Sequence, residues 1–301
     1  MDDPVAQPAY RVGTASWTDP TLLRAGFYPA TTKTADARLR FYAEHFDTVE
    51  VDSTYYALPS ERNATLWAQR TPDSFRFNIK AFALLTGHPA ETRTFPTVLK
   101  ELLPPESRRE ARVSHPPMEV LDLCFEMFRT ALQPLRDAGK LGCILFQFPP
   151  WFTALPKNEA YIDLCGRRLP EDHLAIEFRH ASWFDGRTSR TLDFLRQQHL
   201  ALVCIDAPPA PSIARPPWTA TAEVAYVRLH GRNRRAWFQH EGSAAQRFKY
   251  LYSDDELLAC AAQVRQLRDA SVVHVVFNNC YADYGVRNAL TMQRLLRGSG
   301  L

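Results

Sequence analysis

Eight short stretches of the chain are dense in β-branched and aromatic residues, and most alternate polar with apolar positions at a period of two. They are YRVGTASW (10–17), FDTVEVDST (46–54), FRFNIKA (75–81), GCILFQFP (142–149), LAIEFRH (174–180), ALVCIDA (201–207), VAYVRLHG (224–231) and VVHVVFNN (272–279). Helical periodicity separates most of them. TADARLRFYAEH (34–45) puts Ala35, Leu39 and Tyr42 on one stripe. PSERNATLWAQR (59–70) opens on Pro59 and Ser60 and turns Leu66 and Trp67 inward. A long helix is expected over 118–139, kinked at Pro134 and stopped at Gly139. Further helices are expected over 158–168, 187–198, 254–269 and 285–297. Asp254 is the expected cap of the 254–269 helix, with Leu257, Leu258, Val264 and Leu267 as its buried side.

Eight strand–helix alternations predict a TIM-barrel-like (β/α)8 fold, a closed parallel barrel in one domain over 10–297. A doubly wound sheet is the competing arrangement, but the GxGxxG loop that usually accompanies it is missing. The link PPAPSIARPPWTA (208–220) is too proline-rich for a helix, so that crossover is expected to be irregular. Two long polar loops, at about 82–117 and 232–253, follow the third and seventh strands, at the end where a barrel builds its site. No internal repeat or linker stands out.

Strand parity carries the functional expectation. Helices cover a barrel with apolar contacts, so the apolar parity of each strand should face outward and the polar parity inward. The inward set is then Glu50, Asp52, Asn78, Lys80, Gln147, Glu177, Arg179, Asp206, Arg228, His230 and Asn278. Buried charges must be paired or hydrogen-bonded, since an unpaired one costs several kcal/mol. Near the C-terminal strand ends they could instead stay partly wet and face a ligand. The plainer reading is an interior salt-bridge network, for example Glu177 with Arg179 or Asp206 with Arg228.

Composition narrows the partners. The 301 residues carry a formal net charge of +3 and 46% hydrophobic residues, which excludes a polybasic chain and disorder throughout. No apolar run reaches the 18 or so residues of a membrane helix, so no membrane partner is expected. The six cysteines form no CxxC, and buried thiols in a reducing compartment are expected. The N-terminus is acidic and poor in apolar residues, unlike a signal peptide, so a cytoplasmic location is the default. Nothing in the sequence names a protein partner.

Arginine forks suit phosphate and carboxylate, so the leading expectation is an enzyme acting on a small phosphorylated or carboxylated ligand. Glu50, Glu177, Asp206 and His230 are the candidate acid and base groups. Asp52, Tyr56, Lys80, Gln147, Arg179, Arg228, Arg232, Asn278 and Asn279 are the candidate ligand contacts. No organic cofactor is indicated. A divalent metal held by Asp52, Glu177 and Asp206, with Glu50, His180 and His230 available, would make a metal-dependent phosphoesterase, though no compact motif such as HExxH is present. A nucleic-acid or nucleotide binding module is the third reading, led by Arg232, Arg234, Arg235 and Trp237 in GRNRRAW. Ser53, Ser182 and Cys280 lie at strand ends, but no GxSxG elbow supports a nucleophile. Trp17, Tyr55, Tyr56, Trp151, Phe152, Trp183, Phe184, Trp237 and Phe238 could line a cleft or simply pack the barrel mouth.

The segments GTASWTDP, EVDSTYYALPS, FRFNIKA, LGCILFQFPPWF, LAIEFRHASWF, VCIDAP, VAYVRLHGRN and VVFNNCYADYGVRNAL together resemble the YecE-like family, known as domain of unknown function 72. The resemblance covers nearly the whole chain and implies a TIM-barrel-like fold, but no established activity. It implies a polar signature at Glu50, Asp52, Ser53, Thr54, Tyr56, Lys80, Gln147, Glu177, Arg179, His180, Asp206, Arg228, His230, Gly231, Arg232, Asn278, Asn279 and Asn288. Ala15, Cys280 and the insert PPESRREARVSHPP depart from the family's pattern and bear on ligand size.

Overall fold

Each of the eight β-rich runs becomes a strand, and backbone hydrogen bonds join them in sequence order into a closed parallel barrel. The computed structural model describes residues 7–209, 214–238 and 244–298, without the side chains of Trp237, Phe238, Ala244 and Ala245. The strands are β1 (Ala9–Ala15), β2 (Thr48–Val51), β3 (Arg76–Lys80), β4 (Leu141–Gln147), β5 (His173–Glu177), β6 (Ala201–Asp206), β7 (Val224–Leu229) and β8 (Val272–Phe277). Strand β2 is shorter than its alternating pattern because the chain turns at Asp52 into a 3₁₀ turn over Ser53–Tyr55.

Among the described residues, seven helices of nine residues or more pack around the barrel: α1 (Ala35–His45), α2 (Glu61–Gln69), α3 (Met118–Ala131), α4 (Pro156–Arg168), α5 (Thr188–Gln197), α6 (Asp254–Val264) and α7 (Tyr284–Leu296). In α1, Leu39 and Tyr42 are buried but Ala35 is exposed. Ser60 caps α2 as expected, while Ala64 takes the fully buried position and Leu66 and Trp67 are half-buried. Pro134 does more than kink its helix. The chain breaks at Leu132, and a separate short turn over Gln133–Asp137 starts with the proline in its first turn, where the missing N–H costs nothing. That turn ends at Gly139, whose φ of 63° suits glycine.

Helix α6 is capped one residue earlier than expected. The Ser253 hydroxyl accepts the Glu256 N–H, and the Glu256 carboxylate accepts the Ser253 N–H, a reciprocal pair that leaves Asp254 inside the first turn. Leu257, Val264 and Leu267 are buried, but Leu258 is 44% exposed. No helix forms among the described residues of the β6–β7 crossover.

The insertion after β3 is more ordered and more apolar than its polar, proline-bearing sequence suggests. A two-stranded antiparallel ribbon pairs Ala90 with Val113 and Glu91 with Arg112. Phe82, Leu84, Leu85, Phe95, Leu99, Leu103 and Val113 are buried in the main core, so the segment is a folded wall beside the barrel mouth.

Two apolar cores follow from the two faces of the sheet. The larger lies between strands and helices and holds Val49, Val51, Phe77, Ile79, Phe146 and Ile176. The smaller lies inside the barrel: Ala15, Cys143, Leu145, Ala175, Ala201, Val203, Val224, Tyr226 and Val276. Polar residues complete the lumen. The β3–β4 ladder shifts register between Phe77 and Ile79. There the Asn78 amide oxygen accepts the Cys143 N–H at 2.8 Å, replacing the missing backbone bond. Gly142 makes room for it, since a Cβ there would stand 2.4 Å from that oxygen.

Gly13 on β1 is constrained more severely. A Cβ at this position would fall 1.9 Å from the Thr48 carbonyl oxygen on β2. Gly13→Ala should destabilise the protein by about 1–3 kcal/mol or more, because strands must separate to admit the methyl group. Urea unfolding checks this, and an unchanged midpoint contradicts the close β1–β2 approach.

Candidate functional site

The lumen is built in polar layers. Near its base, Asn78 donates to the Thr48 hydroxyl at 3.0 Å and meets His274 Nδ1 at 3.1 Å. Above them the Tyr226 ring lies parallel to the His274 ring, with centroids 6.0 Å apart, and the Tyr226 hydroxyl donates to Glu50 Oε2 at 3.0 Å. Arg228, two residues along β7, has the same parity and reaches across the barrel. Its Nη2 donates to Glu50 Oε1 on β2 at 2.7 Å, and its Nη1 to Glu177 Oε2 on β5 at 2.5 Å and to Gln147 Oε1 on β4 at 3.1 Å.

Arg228, Glu50 and Glu177 are buried, at 1%, 0% and 0% exposure. Burial opposes the charges of Arg228 and Glu177, so mutual pairing decides their state. For Glu177, the guanidiniums of Arg179 and Arg228 and its contact with His230 outweigh burial and hold the carboxyl well below 4.5. For Arg228, burial is likewise outweighed by Glu177 and Glu50, which fix its positive charge. The inward parity expected for Glu50, Gln147, Glu177 and Arg228 therefore holds, and three of them form the salt-bridge network of the plainer reading. In this state Glu50 and Glu177 are acceptors already engaged by arginine, and Arg228 has little left for a ligand.

Arg179 continues the network upward and is 17% exposed at its side chain. Its Nη2 lies 2.5 Å from Glu177 Oε1 and 3.2 Å from Gln147 Oε1. Its Nε is buried and makes no hydrogen bond among the described residues. His230 sits beside it, fully buried, with Nδ1 2.8 Å from the Asn278 amide and Nε2 3.6 Å from Glu177 Oε1. Burial, with the positive charge of Arg179, lowers its pKa to about 3, so the ring is neutral at ordinary pH.

Lys80, at the end of β3, differs from all of these. Among the described residues its ammonium has no ion pair within 4.0 Å and no hydrogen bond; it stands 4.5 Å from the centre of the Tyr55 ring. Burial and the neighbouring Arg228 lower its pKa to about 8, although Glu50 and Glu177 pull the other way. Asp52 faces the same opening and is half-buried. Burial and the Glu50 charge raise its pKa, against the opposing pull of Lys80. Lys140, by contrast, shows how this chain buries a lysine for structure: its ammonium donates to the carbonyls of Ala68 and Thr71 at 2.7 and 2.6 Å.

The rim is aromatic. Tyr56 is 67% exposed, and Tyr55 meets His88, which meets Trp151, with centroids 5.4 and 5.7 Å apart. His88 was not among the residues singled out by sequence. Burial, then the charges of Lys80 and Arg179, lower its pKa to about 4, so it belongs electrostatically to the mouth. Its position eight residues past Lys80, in an insertion at a C-terminal strand end, is the signal that could have found it. Beyond Trp151 lies a cleft of about 350 Å³ whose walls include Leu84, Leu121, Phe152 and Tyr161.

Asp206 requires a correction. It was expected in the lumen, but on β6 the inward positions are Ala201, Val203 and Ile205. Cys204 and Asp206 face outward together. Reading Asp206 as the mark of the inward parity inverted this strand; Cys204, on the same face, packs its thiol in the outer core near the carbonyls of Pro217 and Thr219. Asp206 instead accepts a fork from Arg232, at 2.9 and 2.8 Å to its two oxygens, and a 2.6 Å bond from the Tyr252 hydroxyl. Arg232 also donates to Glu256 on α6 at 3.1 Å. This second network ties the β7 loop to α6 and does not join the Arg228 cluster. Asn279 also points away from the opening, donating to the Tyr250 carbonyl and to Asn288 on α7.

Other candidates are dispersed. Among the described residues, no group of three or more His, Cys, Asp or Glu side chains converges as metal ligands, so Asp52, Glu177 and Asp206 are not brought together. His180 Nδ1 accepts the Ser182 N–H in a local turn, and the Ser182 hydroxyl accepts the Ala154 N–H. All six cysteines are free; five are buried and Cys280 is half-buried, donating to the Ala15 carbonyl at 2.9 Å. Arg234 and Arg235 are exposed, while the side chains of Trp237 and Phe238 lie outside the described residues. No helix among the described residues is long and apolar enough to cross a membrane.

Comparison with known proteins agrees with this architecture. A family model described as protein of unknown function DUF72 matches residues 11–300. The UPF0759 protein YunF of Bacillus subtilis is 30% identical over 296 residues, covering 95% of this chain and 94% of its own length. The UPF0759 protein YecE of Escherichia coli K12 is 28% identical over 210 residues, covering 68% of this chain and 61% of its own. The crystal structure of a DUF72 family protein from Thermotoga maritima is similar at a TM-score of 0.75 and 29% identity, with 96% of this chain and 99% of that one covered.

Two predictions follow from the lumen. Arg228→Met leaves two buried carboxylates without their shared cation and should cost about 3–5 kcal/mol of unfolding free energy; a loss below about 1 kcal/mol contradicts the brace. The second concerns pH. His230 and His274 are lowered to about 3 and His88 to about 4, chiefly by burial. Each takes up a proton on unfolding at any pH between its folded value and the ordinary 6.5, so stability is full above 6.5 and falls with pH through that window. Glu177, held well below 4.5, adds a further loss below 4.5. Urea unfolding at a series of pH values should show proton uptake approaching about three near pH 5. A flat profile from about pH 7 to about pH 4 contradicts buried neutral imidazoles.

Proposed function

The chain belongs to the DUF72 family, whose function is unknown, and from that premise we propose that it is an enzyme acting on a small phosphorylated or carboxylated ligand at the barrel mouth. The observation that carries this reading is the Lys80 ammonium. Glu50 and Glu177 balance Arg228 and Arg179 in charge, which leaves the Lys80 ammonium at the opening with no ion pair or hydrogen bond among the described residues. A half-buried cation in a site of reduced dielectric attracts an anion more strongly than a surface lysine does. Arg179, 17% exposed at its side chain, supplies a second positive charge. Asp52, whose pKa burial and the Glu50 charge raise from the ordinary value, is the acid–base partner of this reading.

This reading moves the acid–base work from Glu50, Glu177 and His230 to Asp52 and Lys80. Glu177, held well below 4.5 by its arginines, is a weak base, Glu50 is engaged by Arg228 and Tyr226, and a histidine lowered to about 3 does not exchange protons near neutrality. It also favours a small ligand over nucleic acid, because Arg232, a lead contact for that alternative, is committed to Asp206. A cytoplasmic location belongs to the same proposal.

Inorganic phosphate and citrate, titrated by thermal shift and calorimetry, are the direct probes. Lys80→Met should weaken binding about tenfold, or about 1.4 kcal/mol, while substitution of the exposed Lys33 leaves it unchanged. Affinity in the native protein should fall as pH rises through about 8, where Lys80 loses its charge. Anion binding that is absent, or equal in the Lys80 variant, overturns the reading.

A further inference from the structure

We infer that Lys80 is a nucleophilic amine that forms an imine with a small anionic aldehyde or ketone. The inference rests on the anion-binding reading of the same mouth and adds the reactive group of the ligand, a carbonyl.

Three observations support it. The Lys80 ammonium is the end of a strand-borne, half-buried side chain at the barrel opening, without a salt bridge or hydrogen bond among the described residues. A lysine held only by the face of Tyr55 keeps its three N–H directions free to be replaced by a covalent partner. Lys140, equally a barrel lysine, is tied down by carbonyls and shows that the chain has a different arrangement for lysines that only stabilise. The second observation is the set of flanking groups. Arg179, 17% exposed at its side chain, offers a positive charge for the anionic group of the ligand, and Asp52 stands close enough to Lys80 for the two charges to influence each other. The third is the protonation state. With a pKa of about 8, Lys80 presents a usable fraction of free amine near neutral pH, which an ordinary lysine at 10.5 does not.

The step balances without an oxidant or reductant. Lys80 loses its proton to solvent, and the free amine attacks the carbonyl carbon. A C–N bond forms while the C=O π pair moves to oxygen. Proton transfer from nitrogen to that oxygen gives a carbinolamine. Asp52 then protonates the hydroxyl, the C–O bond breaks, and water leaves as the nitrogen lone pair closes the C=N⁺ bond. The cationic imine draws electrons from the adjacent carbon, which is what carbon–carbon cleavage, condensation or proton abstraction next to a carbonyl requires.

Glyoxylate, the smallest anionic aldehyde, tests this with the whole protein in the presence of cyanoborohydride, which traps any imine as a carboxymethyl-lysine mapped by peptide mass spectrometry. Near pH 7, Lys80 should be modified at least about tenfold faster than the exposed Lys33, inorganic phosphate should slow it, and its rate should level off above about 8. In Lys80→Arg the fast modification should vanish. Modification of Lys80 no faster than Lys33 overturns the inference. If phosphate still stabilises the native protein more than Lys80→Met, the anion-binding reading survives that outcome; if it does not, both fall.

Discussion

Arg228 is the cation that permits a polar barrel interior. Its guanidinium touches carboxylates from β2 and β5 and an amide from β4, so one side chain from β7 links strands that share no backbone ladder with it. Desolvating three charges is expensive, and the arrangement is tolerable because each carboxylate faces a guanidinium donor and Tyr226 satisfies a further Glu50 oxygen. Replacing such a cluster with apolar residues is often neutral or stabilising in proteins, so stability alone does not explain it. Its consequence for the opening does: with those charges mutually satisfied, Lys80 and Asp52 are what remains for solvent or a ligand to meet.

Much of the architecture was legible because the relevant signals are local. β-Branched alternation marked all eight strands, and proline and glycine marked the break at Leu132 and the stop at Gly139. Parity placed Glu50, Glu177, Arg228 and His230 in the lumen because their neighbours Val49, Val51, Ile176 and Leu229 are plainly apolar. It failed on β6, where both faces are apolar apart from Asp206 at the strand's end, so that one carboxylate was a poor guide to which face looks inward. The pair expected within one strand end, Glu177 with Arg179, forms; the pair expected across strands, Asp206 with Arg228, does not, since Arg228 meets Glu50 and Glu177 and such partners depend on cross-lumen distances. His88 was hidden for a related reason: a loop residue reaches the mouth only through the fold of the 82–117 insertion.

The second network clarifies the division of labour. Asp206, Arg232, Glu256, Tyr250 and Tyr252 bind the β7 loop to α6 with charge-assisted bonds on the outer side of the strands. It resembles the first in composition and differs in position, which is why strand-end charges read from sequence looked like one ring. The structure separates an outer tether from an inner brace, and the opening lies above the brace. Relatives in this family share the fold over most of their length, so the separation offers a way to ask which of their strand-end charges serve structure and which face a ligand.

The central claim is that Lys80 stands uncompensated at the mouth while the arginines below it are spent on carboxylates. NMR titration of isotopically labelled lysine side chains, assigned with the Lys80→Arg variant, measures this directly. The account predicts a Lys80 transition at about 8. A transition near the ordinary 10.5 would mean that the ammonium is solvated or paired like any surface lysine, and would contradict it.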